Sequence, residues 1–362
     1  MLRILFYFVG IAQVLAAKTN LRTGGICMKK PQKWTALWLL AVLAAALLTG
    51  CAWQGDAETG PESMDAPKGV QQSEKPPLPD KLKTNEAGIP ILQVYQVDEE
   101  QTAEMDLETY LQGVLAGEMK NDWPLEALKA QAILARTFVL KFCTEKESKY
   151  QGADISTDVE EAQAYDATGV NERIEQAVRE TRGMVLSYHG ELPYAWFHSH
   201  SGGVTERAVE GLHYENQEPG YTKVAQGRES SQAPDDVKEW SARFSEEEFL
   251  AAAKKAGRQG SGKLESLEIG QKGESGRAVT LRLNGQPVSA PELRLALDAG
   301  KMRSTLLTEL KADNGGVTMS GKGYGHGVGM PQWGAYGLAE EGKTAEEIVG
   351  AYFRDVTVET LW

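Results

Sequence analysis

Leu107-Glu-Thr-Tyr-Leu-Gln-Gly-Val-Leu-Ala-Gly-Glu118-Met-Lys-Asn-Asp-Trp123-Pro-Leu-Glu-Ala-Leu-Lys129-Ala-Gln-Ala-Ile-Leu-Ala-Arg136-Thr-Phe-Val-Leu140 is the stretch from which the architecture is read first. Leu107, Tyr110, Leu111, Val114 and Leu115 recur at helical spacing and predict a helix over 106–119. Asn121 or Asp122 is placed to cap a second helix, with Pro124 near the first turn, where proline is tolerated. Leu125, Leu128, Ala132, Ala135, Val139 and Phe142 carry its apolar stripe to about Lys146.

Outward from this pair, 91–97 reads as a strand, 150–170 as irregular and acidic, and 172–180 as a third helix. Met184–Tyr188 and Ala195–Ser199 read as strands of one sheet. Ser245-Glu-Glu-Glu opens a helix with a capping box, 264–270 and 278–283 form a strand pair, and 291–299 is a short helix. Thr344-Ala-Glu-Glu347 is a second capping box before a helix to Phe353, and 356–362 reads as a closing strand. The expected class is mixed α/β (α+β), two lobes around a substrate cleft, with no βαβ series for a doubly wound sheet.

Residues 1–53 carry basic side chains and no acid, so the remainder of this 362-residue chain, whose net charge is −13, is more acidic still. That field repels phosphate backbones and argues against nucleic acid. Three cysteines cannot build a disulfide framework. Met28-Lys-Lys-Pro-Gln-Lys, an uncharged run from Trp34 to Leu48, and Leu48-Thr-Gly-Cys51 read as an export segment. It is either a lipoprotein signal or an uncleaved anchor, and both put the body at the outer face of the cell membrane. Residues 1–27 hold a second apolar run, and Met28 is the better start. Residues 54–90 are rich in Pro, Glu and Gln with no aromatic, and read as a flexible tether. The body is then 91–362.

Four places could carry chemistry. Glu118 follows apolar Val114 and Leu115 and small Ala116 and Gly117, a setting that desolvates a carboxyl group and suits a general acid; a solvated last-turn Glu is the alternative. Arg136 is a lone charge in an apolar helical run, and Lys129 points the same way. Arg136 needs a partner, and Glu118 is a candidate; that pairing would oppose the acid role. Phe197-His-Ser-His-Ser201-Gly-Gly looks like a strand entering a glycine turn, with His198 and His200 on one face as half of a metal site or, with Ser201, a nucleophile pair. Gly321-Lys-Gly-Tyr324-Gly-His326-Gly-Val-Gly-Met-Pro-Gln332-Trp-Gly334 has glycine at every second position. An extended chain would then bare one face to a backbone or a sugar ring, with Tyr324 and Trp333 to stack and His326 and Gln332 to hydrogen-bond. Gly337-Leu-Ala-Glu-Glu-Gly-Lys-Thr344 matches a phosphate-loop pattern, but reads as a helix, its glycine cap and an N-cap, so no nucleotide is expected.

The helix-pair stretch 107–138, the stretch 197–203 and the glycine-rich stretch 321–335, in this order over roughly 90–360, resemble the motifs of the stage II sporulation protein D (SpoIID)/LytB family. The sporulation branch implies a lytic transglycosylase of peptidoglycan that cuts denuded glycan strands at the septum during engulfment. Its acid/base falls on Glu118, and Lys129, Arg136, Ser201, Tyr324, His326 and Gln332 fall on positions expected to line or support the cleft. The LytB branch implies instead a wall-binding enhancer of a partner amidase. Tyr324, Pro331 and His200 depart from the usual motifs. Some members carry a Cys/His zinc cluster after the second helix; Ser156 and Glu161 stand there, so no metal or other cofactor is expected. The expected partners are glycan strands, a wall amidase or endopeptidase, and the membrane.

Overall fold

The computed structural model of the chain describes residues 75–260, 262–313 and 315–362. The export segment and the first part of the tether lie outside the described residues. No helix among the described residues is long and apolar enough to cross a membrane. Residues 75–90, read above as tether, are packed on the body. Leu78, Leu82 and Ile89 touch the main core, and β1 (Lys83–Thr84) pairs with β2 (Pro90–Gln96). A proline-rich composition hid these few anchors.

β2 is antiparallel to β3 (Gln101–Asp106), which runs directly into α1 (Leu107–Glu118). Asp106 caps that helix, accepting the Thr109 N–H at 3.0 Å. α2 (Leu125–Glu145) follows, and Leu128, Ala132, Ala135 and Val139 are fully buried along its predicted stripe. Its cap is Pro124, without a side-chain bond; Asn121 instead donates to the Gly169 carbonyl at 2.8 Å. β4 (Ile155–Ser156) adds to β2 in parallel, and α3 (Glu172–Glu180) lies where expected, capped by Asn171.

The two strands read as one sheet belong to two. β5 (Met184–Ser187) pairs with the closing strand β14 (Thr357–Thr360), and β6 (Phe197–His198) pairs in parallel with β13 (Met330–Pro331). A tight turn separates them, with His189 and Gly190 both left-handed. The short helices α4 (Ala208–Leu212) and α5 (Asp235–Lys238) lead to a second core. There β7 (Glu239–Ser245), α6 (Glu246–Lys255), β8 (Leu267–Ile269), β9 (Thr280–Leu283), β10 (Gln286–Ser289), α7 (Ala290–Leu297), β11 (Leu307–Asp313) and β12 (Gly316–Lys322) bury Phe244, Phe249, Leu281, Leu293 and Val317. The chain then returns through β13 to α8 (Gln332–Glu340) and α9 (Ala345–Tyr352) on the first core. Thr344 and Glu347 form the expected capping box.

The glycine-alternating segment is not extended. Gly323, Gly325, Gly327 and Gly329 have φ of 80°, 120°, 85° and 71°. Their bare sides are also filled. A Cβ at Gly329 would sit 2.0 Å from the Trp196 carbonyl oxygen, and one at Gly323 2.6 Å from that of His200. The close approach is of the chain's own backbone, and the face expected to be bared to a sugar is covered.

Arg136 does not reach Glu118. Its guanidinium is fully buried and grips Glu108 with two bonds, Nη2 to Oε2 at 2.6 Å and Nε to Oε1 at 3.1 Å. Antiparallel helices dictate this. Arg136 is eleven residues into α2, about 16 Å along it, which is level with the start of α1 and far from its end. Glu108 also accepts from Gly183 N at 3.0 Å and Trp362 Nε1 at 3.1 Å, so one pair ties α1, α2, the approach to β5 and the C-terminus. Glu108→Ala leaves that guanidinium buried and unpaired and is expected to cost about 3–5 kcal/mol in urea unfolding. A loss below about 1 kcal/mol would show that the pair does not hold the helices.

Candidate active site

Glu118 is the last residue of α1 and is 5% exposed. Gly113 and Gly117 lie one turn apart and let the segment after β4 lie directly on the helix. A Cβ at Gly117 would meet the backbone of Ala164 and Tyr165 at 2.6 Å, and one at Gly113 the Tyr165 ring at 2.3 Å. That approach brings the Ala164 N–H to Glu118 Oε1 at 2.8 Å. From the other side, the Gln332 side-chain NH2 donates to the Glu118 carbonyl at 3.1 Å and lies 3.4 Å from Oε2. Gln332 is held there because β13 pairs with β6, and because Trp333 packs on Trp123 with ring centroids 4.5 Å apart. Tyr336 meets the Trp123 ring edge-on, closing an aromatic wall beside the helix end.

Burial drives the Glu118 pKa up to about 7, against the two weaker hydrogen bonds from Ala164 and Gln332. With Arg136 committed to Glu108, no cation among the described residues counters the desolvation, and the conflict left open by the sequence resolves in favour of burial. Oε1 takes the shorter bond, from the backbone N–H at 2.8 Å against 3.4 Å from Gln332 to Oε2, which favours Oε2 as the oxygen that carries the proton of the neutral acid.

Of the other expected residues, only Gln332 touches Glu118. Lys129 bonds Glu126 at 2.8 Å and Glu180 at 3.4 Å, bridging α2 to α3. Ser201 is fully buried and donates both N–H and Oγ–H to Glu229, so its hydroxyl is not a free nucleophile. His200 Nδ1 accepts the Gly202 N–H at 2.9 Å and does not activate it. His198 sits beside His326, ring centroids 5.4 Å apart. His326 Nδ1 accepts the Val328 N–H, and burial, with Arg294 and Arg277 close by, pushes its pKa down to about 3. It is a neutral imidazole at physiological pH. Tyr324 carries the Arg303 guanidinium over its ring, 5.0 Å from the centroid, so that stacking face is taken.

The stretch after α2 does not fit a zinc ion. Ser148 and Ser156 donate their hydroxyls to Glu161, and one carboxylate with two neutral hydroxyls is not a zinc donor set. Among the described residues no three His, Cys, Asp or Glu side chains converge on one point. The residues that sequence reasoning missed are Glu108, Glu161, Glu229 and the Ala164 amide. Only Glu108 had a usable signal, the level at which two antiparallel helices meet.

The fold and site define a mixed α/β protein in which the desolvated carboxyl group of Glu118 is held between a helix end, a loop amide and a helix start. A family model for stage II sporulation protein matches residues 95–188, and one for a domain of unknown function matches 208–329. Stage II sporulation protein D of Bacillus amyloliquefaciens is 30% identical over 76% of this chain and 80% of its own. Its counterpart in Bacillus subtilis is 28% identical over the same shares. The amidase enhancer of Bacillus subtilis is 28% identical over 68% of this chain but 40% of its own length. The chain belongs to the stage II sporulation protein D family.

The raised pKa has a sign that unfolding can read. The unfolded carboxyl loses its proton near the ordinary value of 4.5 and the folded one near 7, so the stabilisation is complete below the lower value and is lost as pH rises through the higher. Glu118→Gln, which never ionises, is expected to gain on the wild type by roughly 3 kcal/mol between pH 4.5 and pH 8. Urea midpoints at both pH values measure this; a difference independent of pH means an ordinary, hydrated carboxylate.

Proposed function

We propose that this protein is a membrane-tethered lytic transglycosylase that cleaves the bond between N-acetylmuramic acid and N-acetylglucosamine in denuded glycan, in septal wall remodelling during engulfment. The observation that carries the reading is the buried Glu118, whose pKa burial raises to about 7 with no second carboxylate contributing to the shift. A glycosidase that activates water or forms a glycosyl-enzyme uses two carboxyl groups. A lytic transglycosylase needs one, because the nucleophile belongs to the substrate.

In this reading the Oε2 proton passes to the glycosidic oxygen as the C1–O bond breaks. The resulting carboxylate takes the proton of the muramic C6 hydroxyl as O6 bonds to C1. Glu118 ends neutral, and the product is a 1,6-anhydro sugar. A pKa near neutrality serves both halves. Ala164 and Gln332 would hold the carboxyl group through both. The glycan would lie between the two cores, taken as two lobes around a cleft, with the Trp123–Trp333–Tyr336 wall beside the reacting bond. The basic, apolar segment ending at Cys51 supports tethering at the outer face of the membrane. A wall amidase or endopeptidase would supply the denuded strands.

Likeness to the amidase enhancer favours a second reading, wall binding without cleavage. The products separate them when the body is incubated with denuded glycan. Anhydro ends are expected; reducing ends mean a muramidase, and binding without cleavage means an enhancer. Glu118→Gln is expected to lower kcat by about 10²–10⁴-fold. The wild-type kcat/KM is expected to fall above about pH 7, as the acid loses its proton.

A further inference from the structure

Glu161 is a buried carboxylate that the mechanism above does not use. It is 8% exposed and forms no ion pair among the described residues. Neutral donors saturate it: Ser148 Oγ at 3.0 and 2.9 Å to its two oxygens, the Lys149 N–H at 2.5 Å, and Ser156 Oγ at 2.5 Å. Three donors on one desolvated carboxylate, the Ser148 hydroxyl shared between its two oxygens, form a knot whose parts come from three places. Ser148 and Lys149 follow α2, Ser156 is in β4, and Glu161 lies three residues before Ala164.

The segment leaving the knot has little freedom. The Glu161 and Ala162 amides donate to the Asp158 carbonyl at 3.0 and 2.9 Å, Ala164 donates to Glu118, and Asp166 donates to the Gly113 carbonyl at 2.9 Å. Beyond Asp166, the Gly169 carbonyl takes the Asn121 side chain. The amide that selects one oxygen of Glu118 is therefore pinned on one side by Gly113 and on the other by Glu161. The pin on the α1 side is contact with glycine backbone, whereas the pin on the other side rests on side chains: Glu161 on Ser148, Lys149 and Ser156, with Asp158 adding bonds to Tyr150 and Lys149 at 2.6 and 2.7 Å.

We propose that Glu161 is a positioning residue for Glu118: by gathering Ser148, Lys149 and Ser156 it fixes the segment that delivers the Ala164 N–H to Oε1, and so fixes the oxygen that carries the transferable proton. The inference rests on the acid role proposed for Glu118. Its geometric half, control of the Ala164–Glu118 bond, holds whether or not glycan is cleaved. Glu161 touches no reacting atom.

The test is a titration of the Glu118 carboxyl carbon by 13C NMR in the intact chain, assigned by its loss in Glu118→Gln. Glu161→Ala removes the knot and frees the Ala164 amide. A carboxylate that loses a backbone donor while still buried titrates higher, so the midpoint is expected to rise by about half a pH unit. The Ala164 amide is expected to exchange with solvent at least about tenfold faster. Glu161→Gln, which keeps an acceptor oxygen, is expected to recover most of the wild-type midpoint. Ser156→Ala removes one donor and gives a smaller rise in the same direction; it is the variant to read if Glu161→Ala does not fold. A lower melting temperature with an unchanged or lowered Glu118 midpoint overturns the inference, since it makes the knot purely structural. Failure of the glycan assay with the midpoint shifted as expected would sink the enzyme reading and leave the positioning intact.

Discussion

The Arg136–Glu108 ion pair is the constraint from which the chemistry of this protein follows. α1 carries a carboxyl group near each end, and α2 offers one deeply buried guanidinium. Spent on Glu108, that cation is bidentate, desolvated and reinforced by Gly183 and Trp362. Spent on Glu118, it would hold that carboxyl group ionised and useless as an acid. The two helices therefore separate two carboxylates of one element into different jobs. One is charged and structural. The other is left with burial as its dominant influence and keeps its proton to about pH 7.

Burial of this kind needs the chain to come close to itself, and glycine permits it in two places. Gly117 lets the Ala164 segment rest on α1, and Gly329 lets the returning chain pass the Trp196 carbonyl on its way to Gln332. Each contact brings one polar group to Glu118 from far along the sequence. The acid is thus gripped by residues 46 and 214 positions away. A site assembled this way is rigid because its parts are backbone-locked. The left-handed glycines of the returning segment lose conformational freedom on folding, and the packing around them offsets that loss.

How much was legible depended on range. The helices 107–118, 125–145 and 172–180, the strand pair near 267–283, the second capping box and the closing strand all follow from periodicity and caps, which neighbouring residues encode. The strands around 239–245 and 307–322 were missed because their faces mix Ser, Thr, Lys and Glu with few apolar residues. The alternating glycines were misjudged as extended. Spacing reports which residues lack side chains, and it does not report the sign of φ or what fills the space. Arg136 was rightly picked out as needing a partner, but the partner is Glu108; Lys129 and Ser201, expected at the cleft, bond Glu126 with Glu180, and Glu229, respectively.

The order of residues alone determined the two-helix frame, Glu118 as a candidate acid at its turn, the motifs that mark the family, and the acidity of the body. These are local or compositional properties, written in spacing and charge. Only the tertiary structure decided that Glu118 is buried with no cation beside it among the described residues, that Ala164 and Gln332 hold it, and that Arg303 covers the Tyr324 ring. Desolvation and partner choice are set by which distant surfaces meet. A pKa is a property of that enclosure, and the chain must fold before it exists.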